Sequence, residues 1–343
     1  MSLISSAIRL VEQTPLPDPL TNLGVQFLVG RTKARLASLP AQDTRDFVRD
    51  MDQYPIAAHT DAANEQHYEL PPEFFALTLG SRRKYSCCLY PKGDETLAEA
   101  ELLALRETAA HAALSDGQHI LELGCGWGSL TLFMAERYPN AKITAVSNSA
   151  PQRQWIETEA KSRHLGNITV LTADMNDFQP GGQHFDRIVS VEMFEHMSNW
   201  SSLLGRVRSW LAPEGRVFIH VFTHRSQPYR FDHANKADWI AQHFFTGGIM
   251  PSHQLMSMFP DIFEVESEWQ WNGLNYQRTA LHWLANFDAN LPRIDPILHD
   301  IYGPDAALWR RRWRLFYLAT AGLFGHSGGT EWGVSHYRLR AVP

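Results

Sequence analysis

Cysteine is scarce: the 343-residue chain has only Cys87, Cys88 and Cys125. Three thiols cannot build a disulfide framework, and no Cys/His set has the spacing of a zinc site, so a reducing compartment and no metal are expected. Long apolar runs are missing too. None approaches the roughly 18 residues of a spanning helix, and the start, MSLISSAIRLVEQ, lacks the apolar region and cleavage pattern of a secretory leader. A cytoplasmic protein with no stable membrane association is the expectation. Positive charge is also short, with 31 Lys and Arg against 37 Asp and Glu and a formal charge of -6. That balance offers no field for phosphate backbones, and nucleic acid is not expected as a partner. The one dense basic run, WRRRWR (Trp309 to Arg314), reads as a solvated helix face.

Apolar and aromatic residues are plentiful, with 44% hydrophobic residues, 18 Phe and 11 Trp, enough for a large core. Residues 1 to about 70 carry helical patterns interrupted by PLPDP. From about 116, short apolar runs alternate with helical periods, the pattern of βαβ units around a parallel sheet. HILEL, KITAVS, ITVLTAD, DRIVSVEM and GRVFIHVF are the expected strands, with FEVESEWQW and WGVSHYRLRAV near the end. The segment SQPYRFDHANKADWIAQHFFTGGIMPSHQLM (226–256) breaks the alternation and reads as an inserted helical lid.

ELGCGWGSL, Glu122 to Leu130, is a strand end, a glycine turn and a helix start. Gly124, Gly126 and Gly128 permit unusual backbone angles and close ligand approach. The spacing is G-x-G-x-G, not the dinucleotide G-x-G-x-x-G, and Glu122 precedes it. A carboxylate there would repel a pyrophosphate and suits a cationic amino-acid end, which points to S-adenosylmethionine. The end of the second strand, AVSNSAPQ, has no acid for the ribose, so Asn148 or Gln152 must act through neutral hydrogen bonds. After the third strand, Asp174 is placed for the adenine amino group or as a helix cap, and Met175 for packing on the ring.

In order along the chain stand YSCCLYPKGDETLAEAE, ELGCGWGS, EMFEHM, FIHVF and AGLFGHSGGTEWGVSHY. With these motifs the chain resembles, from about residue 66 to its end, the cyclopropane-fatty-acid-synthase-like family of S-adenosylmethionine enzymes. It is most similar to the coclaurine N-methyltransferase type, which methylates the amine of tetrahydroisoquinolines. The resemblance implies a class I, Rossmann-like α/β methyltransferase sheet of seven strands, the last antiparallel, with N-terminal helices and an inserted lid over the substrate. It also implies that Tyr85 and Ser86 touch the methionine end together with Gly124 and Gln152, and that His67 to Gly80 is a lead-in helix. The expected division is 1–70 as helical cap, 71–224 as cofactor-binding core, 225–300 as lid and substrate insertion with a strand, and 301–343 as closing helix and strand. A homodimer is compatible with it.

SVEMFEHMSNW (Ser190 to Trp200) places three proton-handling side chains after an apolar run. For amine methylation, Glu195 and His196 are the expected pair, one taking the proton and the other relaying it, with Glu192 as an auxiliary cation anchor. For cyclopropane synthesis, the resemblance implies a bicarbonate held by a Cys, Glu, His and Tyr. These map onto Cys87, Glu195, His220 and Phe316, and the last lacks the hydroxyl. A site short of one donor favours methyl transfer to a small aromatic or heterocyclic amine over methylene transfer to lipid. His220 alternatively is a core histidine. Cys87 and Cys88 have no nearby base and read as pocket wall, with Phe222 and Trp332 lining the same pocket. Trp239, Phe244, Phe245, Trp271 and Trp332 form either a cage for a cationic amine or lid packing.

Overall fold

The computed structural model describes residues 8–9, 11–14, 16–38, 44–58, 70–236 and 238–343. The strands form where the apolar runs predict: β1 (His119–Leu123), β2 (Lys142–Ser147), β3 (Ile168–Thr172), β4 (Phe185–Val191) and β5 (Leu211–His224). They alternate with helices Ser129–Arg137, Ala150–Ser162 and Trp200–Ser209. The sheet order is β3-β2-β1-β4-β5-β9-β8, with β8 (Phe263–Asn272) at the edge and β9 (Trp332–Ala341) beside β5. The first five strands pair in parallel, and β9 runs antiparallel to both β5 and β8. This is the expected seven-stranded sheet with one reversed strand. The central strands β1, β2, β4 and β5 are largely buried, which explains their apolar runs, whereas the edge strand β8 alternates with solvent.

The insertion differs from the helical lid expected. Among its described residues it contains a two-stranded ribbon, β6 (Tyr229–Arg230) with β7 (Ile249–Met250), and one short helix, Trp239–His243. Aromatic contacts hold it in place of long helices. Phe244 stacks on Phe316 at 4.4 Å, and the Trp239 indole donates to Glu12 Oε1 at 2.9 Å. The lead-in helix is Pro72–Thr78; its expected start at 67–69 lies outside the described residues. Of the N-terminal cap, helices Asp18–Ser38 and Thr44–Met51 are described, while 1–7, 10, 15, 39–43 and 59–69 are not. Three helices, Leu274–Ala289, Leu291–Tyr302 and Ala306–Gly325, fill the connection from β8 to β9. They share a core with the N-terminal helix, the lead-in helix and the end of β5.

The basic run corrects a second expectation. Arg314 bonds both Asp18 and Asp288, Arg312 bonds Glu12, and Arg310 pairs with Asp295. The guanidinium groups clamp the N-terminal segment to the last long helix and do not form a solvated face. Arg314 holds the Asp18 carboxyl below its usual range. A carboxylate with a depressed folded pKa contributes stability present above its unfolded pKa and lost as pH falls through the folded value. Arg314→Met should therefore destabilise the protein at neutral pH by about 1–2 kcal/mol, the partly exposed site being screened by solvent. In thermal unfolding, the gap between variant and parent should shrink below about pH 4.

Candidate active site

The carboxyl ends of β1, β2 and β4 open into a cleft of about 1240 Å³ counted out to its mouth. Ligands of open α/β sheets bind at this end. Its wall includes Tyr85, Ser86, Glu122, Gly124, Gly126, Asn148, Gln152, Asp174 and Met175, nine of the ten expected cofactor residues. Gly128 is the exception. A Cβ on it would come within 2.6 Å of the Ile156 side chain, so this glycine lets two helices pack. Gly126 has φ +51° and nothing within 4 Å of an added Cβ, so its bareness keeps the cleft itself clear. Gly124 serves both purposes, because it lines the cleft and a Cβ would strike Met193 at 2.6 Å.

The polar groups on this wall fit a ligand with a cationic end and several acceptors. Burial raises the Glu122 carboxyl to about 8, against the Thr131 hydroxyl that donates to it at 2.5 Å. An ammonium beside it would favour the ionised form. Gln152 Nε2, Trp127 Nε1 and Ser129 Oγ line the same cleft buried and without hydrogen-bond partners among the described residues. Buried donors of this kind are costly unless a ligand meets them. Gln152 is held by its Oε1, which accepts from Ser147 Oγ at 2.6 Å. Asp174 lines the cleft and caps no helix: its Oδ1 accepts from the Asn176 N–H at 2.7 Å in a local turn.

Of the two glutamates, Glu192 lines the cleft and Glu195, expected to pair with His196, does not. Glu192 follows β4 with φ 49°, a left-handed conformation that costs a non-glycine residue energy and is held by its surroundings. Its side chain lies on the cleft wall beside His196 and Met193. Oε1 accepts from the Cys87 N–H at 2.9 Å and lies 3.1 Å from His220 Nε2, and Oε2 accepts from the Tyr276 hydroxyl at 2.7 Å. Burial raises the Glu192 pKa, and the buried Lys84 ammonium, those donors and His196 oppose it. Glu195 does not line the cleft. It is wholly buried, with Oε1 accepting from the Phe222 N–H at 2.7 Å and Oε2 unpartnered among the described residues. Burial first, and then the Glu192 charge, push its pKa well up, favouring the protonated form. His196 stacks flat on Phe245 at 4.9 Å.

The remaining pocket residues are divided. His220 joins the site through Glu192, burial holding its imidazole neutral. Cys87 joins through its backbone, while its Sγ turns to the Cys88 carbonyl and burial raises the thiol pKa. Phe222 packs edge-on against Phe245 at 5.6 Å. Phe316 and Trp332 lie in the surrounding core, one against Phe244 and Trp313, the other bonded to the Tyr229 hydroxyl. Of the five aromatics expected as cage or packing, Phe245 stands at the site against His196. Trp239 and Phe244 pack the insertion, and Trp271 covers His220. Tyr276, Lys84, Trp127 and Ser129 escaped sequence reasoning. Trp127 and Ser129 stand in the glycine motif itself; Tyr276, at the start of a helix after β8, carries no local signal.

A family model described as mycolic acid cyclopropane synthetase matches residues 57–325. The chain belongs to that family. Within it, the chain is 36% identical over 289 residues to (S)-coclaurine N-methyltransferase of Thalictrum flavum subsp. glaucum, covering 83% of this chain and 80% of the relative. Similarity to cyclopropane-fatty-acyl-phospholipid synthase of Escherichia coli K12 is 29% over 232 residues, covering 67% of this chain and 57% of that one. A crystal structure of coclaurine N-methyltransferase bound to N-methylheliamine and SAH superposes with TM-score 0.94 at 31% identity, covering 99% and 100% of the two chains. The cyclopropane synthase MmaA2 from Mycobacterium tuberculosis shares the fold with TM-score 0.70 at 22% identity, covering 84% and 99%. The chain therefore has the class I methyltransferase fold of this family. No helix among its described residues is long and apolar enough to cross a membrane.

Two measurements test the cofactor wall. Gly126→Val should abolish S-adenosylmethionine binding in a folded protein, whereas Gly128→Val should lower the melting temperature first, as equilibrium dialysis and thermal unfolding distinguish. Because the Glu122 pKa is raised in the folded protein, its neutral form is stabilised between the unfolded value and about 8, and an ammonium ligand must displace that proton. Affinity for S-adenosylmethionine should thus tighten as pH rises from 6 to about 8, with proton release seen calorimetrically. Glu122→Gln should bind more weakly and lose that pH dependence.

Proposed function

We propose that this protein is an S-adenosylmethionine-dependent methyltransferase that transfers a methyl group to the nitrogen of a small aromatic or heterocyclic amine. Support comes from the coclaurine N-methyltransferase relatives and, at the site, from one observation. The donors that would surround a bicarbonate ion, the Cys87 N–H, His220 and a tyrosine hydroxyl, are already bonded to the Glu192 carboxylate. The hydroxyl missing at Phe316 is supplied by Tyr276, and it serves the protein's own anion. A site so filled attracts a cation and repels bicarbonate, which counts against cyclopropane synthesis.

In this reading Tyr85, Ser86, Glu122, Gly124, Gly126, Asn148, Gln152, Asp174 and Met175 hold the cofactor, and Gly128 supports them through packing. Bound S-adenosylmethionine supplies the electrophilic methyl group. Glu192 attracts the ammonium form of the amine and removes a proton, leaving the lone pair free to attack in line. The raised pKa that burial gives Glu192 strengthens it as a base, and its three donors fix its orientation. His196, on the same wall and backed by Phe245, contacts the amine and assists the proton transfer. Glu195 is a neutral support that bonds the Phe222 backbone of β5. Cys87, His220 and Phe222 wall the acceptor side, with Phe316 and Trp332 behind them. The core of residues 71–224 carries the cofactor, and the cap, the insertion and the closing helices complete the acceptor side. A cytoplasmic location and a homodimer belong to the same proposal.

The test offers methyl-labelled cofactor with tetrahydroisoquinoline or with unsaturated phospholipid vesicles, with and without bicarbonate. Label should enter the amine and ignore bicarbonate; bicarbonate-stimulated labelling of lipid would overturn the reading. Glu192→Gln should lower kcat about 100-fold or more with cofactor affinity kept, and Glu195→Gln should cost far less turnover, since a neutral amide replaces a neutral acid.

A further inference from the structure

Behind Glu192 a line of three histidines crosses the sheet to the protein surface. His220 Nε2 meets Glu192 Oε1 at 3.1 Å, and His220 Nδ1 meets His336 Nε2 at 2.8 Å. His336 Nδ1 meets His111 Nδ1 at 2.8 Å, and His111 Nε2 meets Glu107 Oε1 at 3.1 Å. Every ring nitrogen in the line is therefore used. The strand register builds it: His220 on β5 lies directly opposite His336 on β9, and His336 lies opposite Trp269 on β8. His111 is the last residue of the helix Leu97–His111, one turn after Glu107.

The surroundings are those of an insulated conductor. His220 and His336 are wholly buried, whereas the Glu107 side chain is 44% exposed. Trp271 packs edge-on against His220 at 5.4 Å and His336 at 4.4 Å, Phe218 lies 5.2 Å from His336, and Trp269 stacks on His111 at 3.8 Å. Burial, together with the nearby Lys84 and, at the outer end, Arg338, keeps all three rings neutral. A neutral imidazole donates at one nitrogen and accepts at the other, as a chain link must. Core packing alone does not require three such rings in register between a cleft carboxylate and an exposed one.

We infer that His220, His336 and His111 form a proton relay that carries the proton taken from the amine by Glu192 along one face of the sheet to the exposed Glu107 and water. The inference rests on the proposed role of Glu192. The relay starts from the tautomers with the proton on Nδ1 of His220 and of His336 and on Nε2 of His111; with Glu192 protonated at Oε1, that O–H breaks as an N–H forms on His220 Nε2, which then donates to the Glu192 carboxylate. The Nδ1 proton of His220 passes to His336 Nε2, the Nδ1 proton of His336 to His111 Nδ1, and the Nε2 proton of His111 to the Glu107 carboxylate. Each bond broken is matched by one formed, and the net change is one proton moved from Glu192 to Glu107, where water takes it. The rings end as the opposite neutral tautomers. With the cleft open between turnovers, the reverse shifts restore them, taking a proton from water at Glu107 and releasing one from Glu192 to water in the cleft. Glu192 is thus discharged while cofactor and amine exclude water from its own side.

His336 and His111 touch neither substrate nor cofactor, so the test must separate conduction from support. In steady-state methylation of tetrahydroisoquinoline, His111→Ala should lower kcat about tenfold, raise the solvent deuterium isotope effect, and leave the amine KM and cofactor affinity unchanged. Millimolar imidazole, filling the space left by the ring, should restore most of the rate. His111→Gln and His336→Gln, which keep the volume but cannot shuttle a proton, should show the same loss and isotope effect without rescue. If Glu192→Gln keeps the parent turnover, or the parent leaves the amine unmethylated, the function reading falls and the relay with it. If Glu192→Gln is inactive but the histidine variants keep the parent kcat and isotope effect, the relay alone is overturned. A loss in His111→Ala that imidazole does not restore, with an unchanged isotope effect, likewise reduces the column to a structural role.

Discussion

A carboxylate taken out of water must be met by donors, and at Glu192 that requirement ties the molecule together. Its three bonds come from the Cys87 loop, from β5 and from the helix after β8, while its own backbone N–H donates to the His220 carbonyl at 2.8 Å. A charge buried without such partners would cost several kcal/mol. Methyltransferase core, entrance loop and closing helices are therefore fastened around the group proposed to do the chemistry. The left-handed backbone at Glu192 follows from the same demand, since it turns the side chain out of β4 toward those donors.

The neighbouring carboxyl shows how environment, more than identity, sets the state of an acid. Glu192 and Glu195 lie three positions apart, the second fully buried and the first exposed only to the cleft, yet one is met by three polar groups and the other by a single backbone N–H. Burial therefore raises the Glu195 pKa with little opposition, whereas at Glu192 its upward push is opposed by Lys84 and by the Cys87 and Tyr276 donors. Glu122 at the end of β1 is a third case, with one hydroxyl donor and a cleft in front of it. Its proton is the one a cationic ligand displaces.

These cases mark what sequence can disclose. The strand runs and the glycine turn were legible because each is local, a period or a spacing that short-range sterics and burial enforce, whereas the reversed last strand was implied by the family resemblance. Nine of the ten residues expected at the cofactor line the cleft, seven of them at or after the ends of β1, β2 and β3, whereas Tyr85 and Ser86 were implied by the family resemblance. Gly128 was misplaced because its neighbour Ile156 belongs to another helix. The rank of the glutamates was hidden for the same reason: the partners of Glu192 lie 105, 28 and 84 positions away. Likewise the arginines of WRRRWR find their acids on the N-terminal segment and the preceding helices. The insertion misled through its composition, because its order comes from single aromatic contacts with distant helices and leaves no helical period.

Within a family whose members include lipid-modifying enzymes, the sign of the charge at one position explains a turn toward amines. A ring formed by a backbone N–H, an imidazole N–H and a phenol is an anion site by construction. When the chain places its own carboxylate in that ring, the anion becomes permanent and the face it presents to the cleft selects cations. The proton problem changes with it. A diffusible base can leave carrying its proton, whereas a tethered one must be discharged in place. The histidine column joined to that carboxylate is proposed to meet this need, because it runs along the sheet from Glu192 to the exposed Glu107 without passing through the cleft.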